Sequence, residues 1–139
     1  MNTEAFRAAL ADIPYAAFLG AEAVDAARHT AVMRFGKDLI GNPLLPALHG
    51  GAVAGFMELT ACAALVATSA RAHRPRSIDV SIAYLRSARP VETFAQALVR
   101  KAGRRIAYVH VLAWQDDKAA PIAEMTVHFQ LADGATESG

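Results

Sequence analysis

NPLLPALHGGAVAGFMELTACAALVATSA, residues 42–70, combines a loop with a long apolar segment. Two prolines and two glycines lie in its first ten positions, which is typical of a loop that leads into a helix. From Ala52 to Ala70 nearly every residue is apolar or small, so we expect a helix that is buried on every side. The main exception is Glu58, about two turns into that helix. Because a carboxylate is costly to bury, Glu58 is the first candidate for chemistry.

The sequence on either side of this segment predicts mostly strands. Residues 3–12 have the apolar spacing of a short amphipathic helix that Pro14 ends. Residues 21–35 predict a hairpin, and further strands are expected after the long helix at 77–84, 93–100, 105–114 and 123–131. We therefore predict an α+β fold, with one antiparallel sheet of five or six strands wrapped around a long central helix. The strands after the helix are expected to form a meander, with Gly103 at positive φ in one of its turns.

Length and composition limit the function classes. A chain of 139 residues predicts one domain over 1–139, with an N-terminal helical segment at 1–19 and a frayed tail at 132–139. Its net charge of +1 offers no basic field for a nucleic acid. The hydrophobic share of 54% exceeds the usual range of roughly 45–50%, which suggests that some apolar surface is buried between subunits.

Neither a metal nor a membrane is expected. No Cys/His cluster has ligand spacing, and the one cysteine, Cys62, cannot form an intrachain disulfide. The N-terminus lacks the features of a secretory signal, so a cytoplasmic location is expected. The run from Ala52 to Ala70 is nearly long enough to span a bilayer, but Glu58 near its middle argues against that interpretation.

Three features together resemble a known family. They are His49-Gly50-Gly51, an acid nine positions after the histidine, and the strand Ser77-Ile-Asp-Val-Ser-Ile-Ala-Tyr-Leu-Arg86. The combination is similar to the hot-dog-fold acyl-CoA thioesterases, and most of all to the phenylacetic-acid-degradation type, over roughly residues 15–131. Two departures are visible: Ser87 stands where proline is usual, and Glu58 stands where most of the closest group has aspartate.

The resemblance implies the roles of the central residues. Glu58 would be the general base or the nucleophile in thioester hydrolysis. Gly50 would polarise the thioester carbonyl through its backbone N–H at the helix N-terminus, with the acyl group along the helix. His49 could be a base, but a supporting role that fastens the loop by hydrogen bonds is favoured. Ser77 lies where relatives place a hydroxyl that holds the attacking water.

The remaining candidates concern substrate binding and assembly. Asn42 could orient the water or the carbonyl from the facing subunit, although it lies seven rather than six positions before His49, and an Asn-Pro turn explains it equally well. Coenzyme A, as part of the substrate and not as a cofactor, carries phosphates that need cationic partners. The candidates for substrate binding are Gly51, Arg86, Arg104 and Arg105. The resemblance also implies a homodimer or homotetramer, with the pocket between two subunits.

Two rival functions share this fold. A hydroxyacyl-thioester dehydratase would need a histidine about fourteen residues before the helix acid, where this chain has Leu44. A non-catalytic acyl-CoA-binding or assembly subunit would not need a carboxylate at position 58. The sequence alone does not specify the acyl chain.

Overall fold

The computed structural model describes residues 3–42, 44, 46–69 and 75–131. Its helices are α1 (Thr3–Asp12), α2 (Pro14–Leu19) and α3 (Gly50–Thr68). Its strands are β1 (Ala21–Asp25), β2 (Thr30–Met33), β3 (Ile40–Asn42), β4 (Ala47–Leu48), β5 (Arg76–Tyr84), β6 (Thr93–Ala102), β7 (Ile106–Trp114) and β8 (Ala123–Gln130). The predicted α+β architecture is confirmed, because α3 packs against one antiparallel sheet of six strands. The tail predicted at 132–139 lies outside the described residues.

The strand order in that sheet is β1-β2-β6-β7-β8-β5. Strands β6, β7 and β8 form the expected meander, but the prediction is wrong for β5, which pairs with β8 and not with β6. The alternation of side chains predicts the face on which each residue lies, and it carries no information about the neighbouring strand. Strand β5 is therefore an edge strand, and this position determines how the candidate site can be completed.

The core lies between α3 and the concave face of the sheet. The helix contributes large buried side chains, Val53, Phe56, Met57 and Leu65. The strands opposite carry small or branched buried residues, which include Ala95, Ala97, Ala107, Val109, Val111 and Val127. Alanines on the inner face let the helix approach the sheet closely, and the larger side chains of α3 fill the space between them.

One stripe of α3 departs from the prediction of burial on every side. Gly51 is exposed, while Gly55, Glu58 and Cys62 are half-buried at successive turns of the same face. Helix α3 is long and apolar enough to span a membrane. An 18-residue segment of this helix has a mean hydropathy of 1.6, but 56% of the segment is buried inside the protein. The prediction that this helix is buried on every side is therefore wrong along the half-exposed stripe and at its C-terminal turn, where Thr68 is exposed.

The N-terminal segment consists of two helices and not one. Pro14 follows α1 and begins α2, which agrees with the tolerance for proline in the first turn of a helix. Gly20, at φ 67°, ends α2. The positive φ predicted for Gly103 is wrong, because the described residues with positive φ are Gly20 and His29.

A two-stranded ladder of β3 and β4 precedes α3 and was not predicted. His49 donates its backbone N–H to the Leu39 carbonyl at 2.6 Å, and Leu48 donates to the Ala88 carbonyl at 2.9 Å. These bonds attach the loop on both sides and fix the point at which α3 begins.

Candidate active site

The first turn of α3 has four backbone N–H groups without helical acceptors, as every helix does. The His49 N–H donates to the Leu39 carbonyl at 2.6 Å, the Gly51 N–H to His49 Nδ1 at 2.9 Å and the Ala52 N–H to the His49 carbonyl at 3.0 Å. The Val53 N–H begins the helical pattern with a bond to the same carbonyl at 3.2 Å. The remaining donor is Gly50, whose N–H has no acceptor within the described part of the chain. The helix therefore begins with one free donor at the positive end of its dipole.

His49 acts as the N-cap of α3 through its side chain. Because Nδ1 accepts a hydrogen bond, that ring nitrogen is unprotonated in this arrangement. A Cβ at position 51 would lie 2.9 Å from the imidazole, so the ring fits here only over a glycine. The hydrogen bond to Gly51 is of the kind that a loop-fastening role for His49 requires. It also occupies the backbone N–H of Gly51, a residue that was predicted to bind substrate.

Tyr84 holds the same turn from the sheet. Its hydroxyl donates to the Gly50 carbonyl at 2.8 Å, and a Cβ at position 50 would lie 3.2 Å from that hydroxyl. The end of β5 is thereby attached to the start of α3. In the sequence Tyr84 appeared only as an alternating strand residue, because the pairing of a strand end with a helix start cannot be seen from spacing.

Glu58 lies two turns along α3 and is half-buried. Ser77 donates its hydroxyl to Glu58 Oε2 at 2.8 Å. This bond fixes the orientation of a carboxylate that could act as a base or as a nucleophile. Ser77 was predicted to hold the attacking water, and here its hydroxyl contacts the carboxylate that would activate that water.

Glu58 and Ser77 line a cavity of about 330 Å³. The cavity also contacts Cys62, one turn further along α3. Burial raises the pKa of the Cys62 thiol, and the nearby Glu58 charge raises this pKa further. The thiol is therefore protonated near neutral pH and is a poor nucleophile.

Gly50 and Glu58 do not meet within one chain. They are eight residues apart on the helix, which is ~12 Å of rise. Their hydrogen-bond partners, Tyr84 and Ser77, lie near opposite ends of β5. A reacting carbonyl must lie about 3 Å from both the nucleophile and the oxyanion donor, so one chain alone does not form a complete site.

The other predicted residues lie further away. Asn42 ends β3 opposite Ala47, and its side chain is outside the described part. Arg86 follows β5 beside Ile122, whereas Arg105 lies beside Leu131. These positions are at opposite ends of β8, ~30 Å apart at ~3.3 Å per residue, so Arg86 does not join Arg104 and Arg105 in one chain. Among the described residues, no cluster of His, Cys, Asp or Glu could hold a metal ion.

Comparison with known proteins identifies the family. Residues 45–129 match the thioesterase superfamily. This match covers α3, its N-cap and all four strands that follow. The chain belongs to the thioesterase superfamily. The hot-dog fold implied by the sequence resemblance is therefore confirmed. No curated protein matches the sequence.

Solved structures of other proteins have the same architecture. A Chromobacterium violaceum protein is 34% identical over 94% of this chain and 91% of its own, with a TM-score of 0.71. A phenylacetic acid degradation-related protein from Ralstonia eutropha is 20% identical, with coverage of 91% and 98% and a TM-score of 0.74. A Bacillus halodurans protein solved with CoA is 17% identical, with coverage of 93% and 87% and a TM-score of 0.74. At these lower identities the similarity concerns the fold alone.

Proposed function

We propose that this thioesterase-superfamily protein hydrolyses acyl-CoA thioesters to a free acid and CoA, in a site shared by two copies of the chain. The free Gly50 N–H is the observation that supports the proposal most strongly. The neighbouring N–H groups of the first turn are all bonded, so this single donor is available to a carbonyl oxygen. The negative charge on that oxygen grows in the transition state, where a preorganised donor is most effective.

Glu58 supplies the second group, and two routes start from its carboxylate. As a base it takes a proton from water, the water oxygen bonds to the carbonyl carbon, and the Gly50 N–H stabilises the oxyanion. The C–S bond then breaks, and the CoA sulfur leaves with the proton that Glu58 returns. As a nucleophile the carboxylate bonds to the carbonyl carbon, CoA leaves, and water hydrolyses the resulting anhydride. Turnover in isotopically labelled water introduces label into Glu58 only by the second route.

Strand β5 is the proposed contact between the two copies. It lies at the edge of the sheet and exposes Ile78, Val80 and Tyr84 by 54%, 39% and 54%. An exposed apolar edge strand is a template for pairing with another chain. Antiparallel pairing of two β5 strands about a twofold axis would bring the Tyr84 end of one strand to the Ser77 end of the other. Gly50 of one copy and Glu58 of the other would then face the same space.

The basic hairpin between β6 and β7 is the proposed partner of the CoA phosphates. Arg100, Lys101, Arg104 and Arg105 are exposed there, and none of them has an acidic partner among the described residues. Unpaired cations of this kind suit phosphate groups. The structure of a protein with a similar fold has been solved with CoA, which supports CoA as the thiol part of the substrate.

The sharpest test of the Gly50 donor compares Gly50→Pro with Gly50→Ala. Both variants add a Cβ beside Tyr84, but proline alone removes the N–H. Proline is tolerated at the first helical position, and His49 already has the extended conformation that a residue before proline requires, at φ −62° and ψ 130°. We expect Gly50→Pro to lower kcat on an acyl-CoA panel by about 10²–10³ relative to Gly50→Ala.

Equal rates for the two variants would exclude the Gly50 N–H from the reaction. A wild-type protein that binds acyl-CoA tightly and hydrolyses no member of a broad panel would contradict the proposed enzyme and favour a binding subunit of the same fold. Circular dichroism and thermal melting of both variants establish that they fold.

A further inference from the structure

The cavity beside Glu58 is bounded by three parts of the chain. Helix α3 contributes Gly55, Leu59 and Cys62, the sheet contributes Phe129, and the N-terminal segment contributes Ile13 and Tyr15. Apart from Glu58 and Ser77, most of these groups present carbon or sulfur. The cavity is thus an apolar space with a carboxylate in its wall, which is the arrangement expected of a pocket for the acyl part of a thioester.

Tyr15 is held in this wall by its contact with α3. A Cβ at position 55 would lie 2.8 Å from Tyr15 Cε2, and the three atoms nearest to it all belong to Tyr15. Glycine inside a helix is less favourable than alanine, so a specific reason for Gly55 is expected. The reason visible here is that the tyrosine ring lies directly against the helix backbone.

Phe18 is stacked near the Tyr15 ring. The two ring centroids are 5.7 Å apart and the planes differ by 12°. Phe18 is 66% exposed and does not line the cavity, and Tyr15 is 46% exposed. The Tyr15 ring is therefore a wall of the cavity that contacts Gly55 on α3 and is partly open to solvent.

The volume of the cavity suits a small ligand. About 330 Å³ lies at the lower end of the range of roughly 300–1,000 Å³ that is typical of pockets for small molecules. The cavity is therefore suited to a compact acyl group.

We propose that this cavity is the acyl pocket and that Tyr15, in contact with Gly55, limits the length of the acyl chain. The protein would then select compact apolar acyl groups. This inference rests on the proposed acyl-CoA hydrolysis. It adds a substrate class and a specificity-determining residue to that function.

The first experiment measures kcat/KM on a series of straight-chain acyl-CoAs from two to sixteen carbons. We expect the wild-type value to fall as the chain lengthens, and Tyr15→Ala to raise the ratio of long-chain to short-chain kcat/KM by about tenfold or more, since each added buried methylene contributes about fourfold. Tyr15→Phe retains the ring and should retain the length preference. Phe35→Ala is the matched control, because it removes a ring that is 41% exposed, does not line the cavity and is not stacked on Tyr15.

Gly55→Ala tests the contact between the Tyr15 ring and the backbone of α3. The added methyl group must displace Tyr15, so we expect this variant to change the length preference. The double variant Gly55→Ala/Tyr15→Ala should behave like Tyr15→Ala alone, because the group that the methyl would displace is absent. Additive effects of the two substitutions would contradict the proposed contact.

The second experiment needs no turnover. Cys62 is the one cysteine in the chain and lines the same cavity, so its alkylation reports whether the cavity is filled. We expect a short S-alkyl-CoA thioether to slow the alkylation of Cys62 by iodoacetamide, and CoA without an alkyl group to protect less.

The outcomes separate this inference from the proposed function. Hydrolysis with an unchanged chain-length profile in Tyr15→Ala, or binding of the thioether without protection of Cys62, would overturn the pocket assignment and leave the enzyme in place. If no acyl-CoA is hydrolysed, protection of Cys62 still supports the pocket, and its absence contradicts it.

Discussion

Glu58 on α3 and Ser77 on the edge strand are joined by a hydrogen bond of 2.8 Å. Glu58→Gln keeps the shape of the side chain and an oxygen that accepts from Ser77, but it removes the base. Loss of a general base costs on the order of 10²–10⁴ in rate. We therefore predict that kcat falls by that factor while KM changes little, measured as thiol release from a compact acyl-CoA. A variant that keeps most of its turnover would remove Glu58 from the mechanism and make His49 the next candidate.

Cys62 provides a second test of the Glu58 charge. Burial and, after it, the Glu58 carboxylate raise the pKa of the Cys62 thiol. Removing the charge in Glu58→Gln lowers this pKa, so at a fixed pH below it more thiolate is present. We predict faster alkylation of Cys62 in the folded variant than in the folded wild type, measured by mass spectrometry. The unfolded chains should react at equal rates, and a slower reaction in the folded variant would show that the charge does not reach the thiol.

The sequence predicted these groups individually better than it predicted their contacts. Glu58 stood out because a carboxylate interrupted an apolar helix. Gly50 stood out because the resemblance placed the His-Gly-Gly motif at the start of that helix. Tyr84, Tyr15 and Gly55 were missed as site residues. Each acts through a neighbour that is distant in the chain, and only the folded structure brings them together.

Strand β5 is the element on which the proposed assembly depends. A lysine in place of Val80, in the middle of this strand, adds a charge that disfavours pairing at a sheet edge. We predict that Val80→Lys sediments as a monomer and loses activity, while the wild type sediments as a dimer or a larger oligomer. Leu98→Lys is the control, because Leu98 is similarly exposed at 49% but belongs to β6 inside the sheet. A dimeric Val80→Lys variant would place the contact elsewhere.

The bounds of most elements could be predicted from the sequence. The apolar run, ended by polar residues, located α3, and alternation located β5, β7 and β8 to within two residues. The place of β5 in the sheet could not be predicted, because its inner residues match the pattern of any strand that faces the helix. The ladder of β3 and β4 was missed, since strands of three and two residues are too short for a periodic signal.

Under the proposed mechanism, Gly50 and Glu58 of one chain are too far apart to act on the same carbonyl, so a second copy would be needed. Gly50 is tied to one end of β5 through Tyr84, and Glu58 to the other end through Ser77. A twofold axis through the middle of paired β5 strands would create two identical sites, each with one group from each copy. The apolar surplus in the composition is consistent with this requirement, because part of it lies exposed on β5.

Subunit complementation tests this arrangement most directly. Glu58→Gln and Gly50→Pro are each expected to be nearly inactive, and they are mixed by unfolding and refolding together. If each site takes Gly50 from one copy and Glu58 from the other, every mixed dimer contains one intact site. Random pairing then restores roughly a quarter of the wild-type activity. Activity that stays at the sum of the two separate variants, in a sample shown to contain mixed dimers, would contradict a shared site.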